Sequence, residues 1–166
     1  MRLTRNLVVK GLALAVWVAI LVSAGIAFAQ HRQYKEAVVL GPGVTEVKKL
    51  SDYYAPLKGS PNDCNIYLLD SGTPGATLLV IAAVHAEEPA TNLAAAVLVE
   101  NAKPIAGRVV VAIHQNRSAS TVTRPGDAYP QFYTIKTDWG EKKFRMGDRW
   151  ANPLDSWPDP ETYVHY

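Results

Sequence analysis

Cysteine is nearly absent from this chain of 166 residues: Cys64 is the single one. One thiol builds neither an internal disulfide framework nor a cysteine-lined zinc site, since both need several sulfurs. A bound metal therefore has to be held by histidine and carboxylate side chains. Charge of one sign is equally scarce. Lys and Arg total 17 against 15 Asp and Glu, for a net charge of +2, and part of that excess comes from Arg2, Arg5 and Lys10 at the extreme N-terminus. No basic stripe remains for a nucleic-acid partner. Internal repeats and low-complexity tracts are missing too, which excludes an array architecture. What is present is a globular composition, 48% hydrophobic and 19% charged, on a chain with room for one core.

The first 29 residues read as an address. Arg2, Arg5 and Lys10 precede an uncharged apolar run from Gly11 to Ala29, and Ala27-Phe28-Ala29 before Gln30 has the small-x-small form of a signal-peptidase site. The run also approaches the roughly 20 apolar residues that span a bilayer, so an uncleaved anchor through residues 11–29 is the alternative. Both readings leave the basic flank inside and deliver the rest of the chain across the membrane, to a periplasmic or extracellular location.

Residues 30–61 are punctuated by Pro42, Gly43, Pro56, Gly59 and Pro61 and read as a lead-in with little regular structure, with Val38-Val39-Leu40 as a candidate edge strand. The pattern sharpens from Asn65. Ile66 to Leu69 is a short strand, residues 71–75 a turn, and Thr77 to Val84 an uninterrupted apolar run that reads as a strand buried on both faces. Pro89 suits the first position of a helix that continues from Ala90 to Asn101, with Leu93, Val97 and Leu98 on one side. Lys103-Pro104 and Gly107 end it, and Arg108 to Ile113 is another strand. Strand, helix, strand implies a parallel pair joined by a right-handed crossover, and the fold class is α/β. Beyond His114, glycine, proline and aromatic residues dominate and neither helix nor strand is clearly written.

The chemistry concentrates at His85-Ala86-Glu87-Glu88, where the apolar strand stops and the helix begins. Ligands bind open α/β sheets at this carboxyl edge. An imidazole and a carboxylate three residues apart converge on one cation, and zinc accepts that nitrogen and oxygen set in hydrolytic enzymes. The competing reading has Glu87 and Glu88 simply favouring the positive end of the helix, with His85 a polar strand terminus. Arg149 is suited to gripping a substrate carboxylate through two parallel hydrogen bonds, with Asn152 beside it; alternatively Arg149 is a surface residue paired with Asp148 or Asp155. His114 ends the next strand as either a polar boundary residue or a ligand. Trp139, Trp150 and Trp157 suit a cleft wall or a core equally.

The run Leu78-Leu79-Val80-Ile81-Ala82-Ala83-Val84 leading into His-x-x-Glu, then a helix and a second strand, resembles the metallocarboxypeptidase-like fold, a mixed sheet with flanking helices. More narrowly it resembles the succinylglutamate desuccinylase and aspartoacylase branch of the M14 zinc peptidase superfamily, from about Asn65 to Ile113 and more faintly from Arg145 to Pro153. The resemblance implies Zn2+ held by His85, Glu88 and a later histidine, a glutamate general base, and an arginine gripping the substrate's carboxylate. It also implies that residues 62–166 are the N-terminal part of such a domain, with the general base beyond Tyr166. The branch has glycines before its histidine and Gly-Asn between histidine and glutamate; this chain has Ala82-Ala83-Val84 and Ala86-Glu87. The expected activity is hydrolysis of an amide bond in a small peptide or N-acyl amino acid. The alternative is a non-catalytic extracytoplasmic binding module on the same α/β frame.

Overall fold

The computed structural model describes residues 2–122, 132–137 and 140–156. The chain divides into two compact units, residues 1–35 and residues 36–166. The first is a single helix, α1 (Arg2–Gln33). Within it Thr4–Gln33 has a mean hydropathy of 2.5 in its most apolar window and none of that window is buried. By length and composition it can cross a membrane, which suits a signal sequence or an anchor alike.

The second unit is mixed α/β. Its main sheet has four strands, β1 (Glu46–Lys49), β2 (Asn65–Asp70), β3 (Thr77–Ile81) and β4 (Arg108–Ala112), in the order β1-β2-β4-β3. Helix α2 (Pro89–Asn101) connects β3 to β4, and these two strands pair in parallel, Thr77 opposite Arg108 and Ile81 opposite Ala112. The pairs β1–β2 and β2–β4 are antiparallel. A hairpin, β5 (Phe132–Thr137) and β6 (Gly140–Arg145), forms a second sheet, and a short helix α3 (Pro153–Ser156) follows.

Alternation along β2 and β4 divides their side chains between two faces. Tyr67, Leu69, Val111 and Ile113 point to one face, where they meet Ala95, Ala96 and Val99 of α2 and Phe144 of β6. Tyr133 stacks on Phe144 with ring centroids 5.3 Å apart, fixing the hairpin against this core. The opposite face carries only a small cluster, Cys64, Ile66 and Ala112, with Leu50, Leu68 and Val110 against it.

Four sequence expectations change. The most buried positions of α2 are Asn92, Ala95, Ala96 and Val99; Leu93 and Leu98 pack on the same core as partly buried flanks, and of the three expected residues only Val97 is exposed. β3 is an edge strand rather than one buried on both faces: Leu78, Leu79 and Ile81 are 56%, 60% and 47% exposed. An uncharged run shows that a strand is apolar and says nothing about its place in the sheet. No strand forms at Val38-Leu40. That segment crosses the end of α2, where the Val39 N–H donates to Glu100 Oε1 at 3.1 Å instead of to a neighbouring strand, and the edge strand falls at Glu46–Lys49, on β2's free side. Finally, the stretch after His114 contains the β5–β6 hairpin, whose alternate residues Tyr133 and Ile135 pack on the core.

Leu69 is wholly buried between α2 and the sheet, whereas Leu79 lies on the open edge. Leu69→Ala should lower unfolding free energy by about 2–5 kcal/mol through lost burial and the cavity left behind, and Leu79→Ala by no more than about 0.5 kcal/mol. Urea titrations of the full chain and both variants measure the difference.

Candidate metal centre

The site grows out of the parallel pair. The β3–β4 ladder continues beyond the strand ends: Ala82 N–H donates to the Ala112 carbonyl at 2.8 Å, Gln115 N–H to Ala82 at 3.1 Å and Asn116 N–H to Ala83 at 3.1 Å. Ala83 then takes φ = +52°, the left-handed region that glycine adopts freely. Held there, a non-glycine residue costs about 1–2 kcal/mol, and the surrounding bonds hold it. Its N–H donates to Thr91 Oγ1 at 3.2 Å, and the same hydroxyl donates to the Glu88 carbonyl at 2.9 Å. One threonine on the first turn of α2 thus ties the start of the sharp turn to its end.

This turn delivers His85 and Glu88 to one point. His85 Nδ1 lies 2.9 Å from Glu88 Oε1. Glu88 is the N-cap of α2, yet its carboxylate makes no capping bond to the helix N–H groups. The carboxylate is turned to His85 rather than to the helix N–H groups, while its charge still lies at the positive end of α2. Two ligands on tetrahedral zinc at the usual bond lengths stand about 3.4 Å apart. The two side chains, 28% and 50% exposed, would have to part by about half an ångström and turn toward a common point to admit the ion. Nδ1 and a carboxylate oxygen are donor types that zinc accepts, but as they stand Nδ1–H donates to the carboxylate, and an ion would have to displace that proton to take both atoms. Among the described residues no group of three His, Cys, Asp or Glu side chains gathers to complete a zinc site.

The segment after β6 runs beside this turn. Ala86 N–H donates to the Asp148 carbonyl at 3.1 Å and Gly147 N–H to the Ala86 carbonyl at 3.3 Å. Gly147 admits no side chain, because a Cβ would fall 2.1 Å from the Ala119 carbonyl oxygen. The buried Asp148 carboxylate accepts the N–H groups of Arg149 and Trp150, the latter at 3.1 Å. Arg149 is thereby placed beside the turn, and its Nη1 lies 3.9 Å from Glu87 Oε1. Its carboxylate neighbour is thus Glu87, in place of the Asp148 or Asp155 side chain. Asn152 is buried; its side-chain amide donates to Thr121 Oγ1 at 2.9 Å and its side-chain oxygen accepts the Leu154 N–H at 3.0 Å. Asp155 accepts the Ser118 hydroxyl at 2.6 Å. Trp150 is 64% exposed, so it is not a core residue. Trp139, Trp157 and His165 lie outside the described residues.

His114 lies in a buried polar cluster away from the strand-end turn, with Glu36 as its carboxylate neighbour. Glu36 Oε2 lies 3.3 Å from its Nε2, without the alignment of a hydrogen bond. Glu36 Oε1 accepts the Arg145 N–H at 3.0 Å, and Arg145, fully buried, donates from Nη1 to the Ser120 carbonyl at 3.0 Å. Glu36 and Arg145 carry no sequence signal for burial; charged residues are read as surface unless a partner is known. Burial also pushes the Tyr133 hydroxyl above its ordinary pKa, and that hydroxyl donates to the Pro89 carbonyl at 2.8 Å, at the start of α2.

No family model matches this chain, and no curated protein or solved structure matches it either.

Burial holds the His114 imidazole below its ordinary pKa of 6.5; Glu36 opposes this, while Arg117 and Arg145 add to it. The unfolded chain therefore binds this proton at a higher pH than the folded one. Stability is fully present above the unfolded value of 6.5 and is lost as pH falls through it. Urea midpoints should drop between about pH 7.5 and about pH 5.5, by at most about 1.4 kcal/mol per pH unit for this one proton. His114→Asn should flatten that slope. Equal slopes in the two proteins would remove His114 as its source.

Proposed function

We propose that this chain belongs to an exported zinc-dependent hydrolase that cleaves an amide bond in a small peptide or N-acyl amino acid, of metallocarboxypeptidase or deacylase type. The observation that carries the proposal is the meeting of His85 Nδ1 and Glu88 Oε1 at 2.9 Å. It occurs at the carboxyl end of a parallel strand, on the sheet edge where α/β proteins bind ligands. On this reading the mixed sheet with α2 against it is part of a metallocarboxypeptidase-like frame. The apolar α1 is the export signal or membrane anchor.

His85 and Glu88 hold the ion, with further ligands supplied from outside this pair. Zinc, when bound, polarises a carbonyl and lowers the pKa of a coordinated water. Ala83 and Thr91 keep the two ligands converged by fixing the turn between them. Arg149, about half exposed beside that turn, orients a substrate through its free carboxylate. A second reading is favoured by one observation, that no third histidine or carboxylate joins the pair among the described residues. It makes the chain a non-catalytic extracytoplasmic binding module on the same frame.

The full chain, stripped of metal by a chelator and dialysed against zinc, should take up one equivalent. His85→Ala and Glu88→Ala should each abolish stoichiometric uptake while leaving the unfolding transition in place. Absence of uptake by the unaltered chain, or uptake undiminished in His85→Ala, refutes the proposal. Zinc uptake without hydrolysis of any N-acyl amino acid or dipeptide, whether linked through the α-nitrogen or through a side chain, favours the binding module.

A further inference from the structure

Glu87 stands between the two metal-binding side chains in sequence, and its carboxylate faces Arg149 Nη1 at 3.9 Å. That separation is beyond a direct hydrogen bond, and the two side chains remain 37% and 52% exposed. Open pairs of this kind contribute roughly 0–1 kcal/mol, so a ligand displaces one at little cost. The backbones beneath the pair are firmly placed. Ala86 is bonded to the Gly147-Asp148 segment on both its N–H and its carbonyl, and Asp148 clamps the N–H groups of Arg149 and Trp150. Two opposite charges are thus presented side by side, on fixed backbone, next to His85 and Glu88.

A ligand that brings only a carboxylate to Arg149 meets Glu87 as a like charge at the same place. A ligand that also brings an ammonium group gives Glu87 a partner in exchange for Arg149. The spacing limits where that ammonium sits. In an α-amino acid the amine nitrogen and carboxyl carbon are about 2.5 Å apart, a dipole short enough to lie antiparallel along the Glu87–Arg149 pair; an amine at the end of a long side chain is not.

We propose that Glu87 and Arg149 together form a subsite for a free α-amino-acid terminus, with Arg149 taking the α-carboxylate and Glu87 the α-ammonium. This rests on the reading above that Arg149 receives a substrate carboxylate. Within the small peptides and N-acyl amino acids proposed above, it selects those whose amide lies on a side chain and makes α-N-acylated ones poor substrates. The C-terminal residue of an ordinary peptide has its α-nitrogen acylated and offers Glu87 no cation. An amino acid linked to the rest of the substrate through its side chain keeps both charges, so the amide cleaved is a side-chain amide.

The full chain, with and without zinc, is titrated with L-alanine and with N-acetyl-L-alanine while the Arg149 Nε–H resonance is followed by NMR. L-Alanine is expected to shift that resonance saturably, and N-acetyl-L-alanine to bind about threefold to fivefold more weakly. In Glu87→Gln the two affinities should converge, chiefly by tighter binding of the acetylated probe. Equal or tighter binding of N-acetyl-L-alanine to the unaltered chain overturns the proposal. So does a preference that survives in Glu87→Gln, or an Arg149 resonance moved by neither probe. The preference is read in the metal-free chain as well, so failure to take up zinc leaves this result standing, and loss of the preference leaves zinc binding standing.

Discussion

The parallel pairing of β3 with β4, carried two residues beyond the strand ends, is the constraint on which the candidate site depends. Three backbone bonds from Ala82, Gln115 and Asn116 prolong the ladder and stop at Ala83, whose left-handed conformation turns the chain out of the sheet plane. Both candidate metal ligands follow within five residues. Had the ladder ended at Ile81, the chain would enter α2 without a fixed turn, and His85 and Glu88 would have no reason to face one another. Thr91 completes the constraint from the helix side, accepting from Ala83 and donating to Glu88. A turn bonded at its start and its end keeps an otherwise unfavourable backbone conformation populated.

The rest of the second unit holds this turn from behind. Small side chains on α2 let it lie close on Tyr67, Leu69, Val111 and Ile113, so the helix N-terminus is fixed at the sheet edge. The β5–β6 hairpin reaches the same place from another direction. Its Phe144 enters the core, Tyr133 donates to the carbonyl of Pro89, and the segment after it bonds both polar groups of Ala86. The buried Glu36, His114 and Arg145 side chains sit beneath, joining the beginning of the unit to β4 and β6 through charged and polar contacts. Such contacts contribute specificity of arrangement at a desolvation cost, and their dependence on proton binding makes this part of the fold sensitive to acid.

Much of this was legible in the sequence, for identifiable reasons. β2, β3, α2 and β4 were written in uninterrupted apolar or helix-forming runs bounded by Gly75, Pro89, Pro104 and Gly107, and their observed limits differ from the reading by a few residues at most. His85 and Glu88 were legible because their types and spacing have a chemistry. The helix face was legible in part: Leu93 and Leu98 do pack on the core, but its centre is Ala95, Ala96 and Val99, and alanine carries too little hydrophobicity to mark that position in the sequence. β1 is Glu-Val-Lys-Lys, a sequence with no strand signature; its conformation is imposed by the free edge of β2. β5 and β6 alternate correctly, but lysines and flanking glycines and prolines dilute the pattern. Glu36 and Arg145 were invisible as buried groups because each depends on a partner distant in sequence.

If His85 and Glu88 hold one zinc ion, as proposed, they do so through the two atoms that already face each other. The direct measurement is the ¹⁵N NMR spectrum of the histidine side chains in the full chain as zinc is added. The His85 Nδ1 resonance should move to a metal-bound position in step with zinc occupancy, and Glu88→Gln should weaken this response. Zinc saturation with the His85 Nδ1 resonance unmoved, or coordination through His85 Nε2 instead, would contradict the proposal.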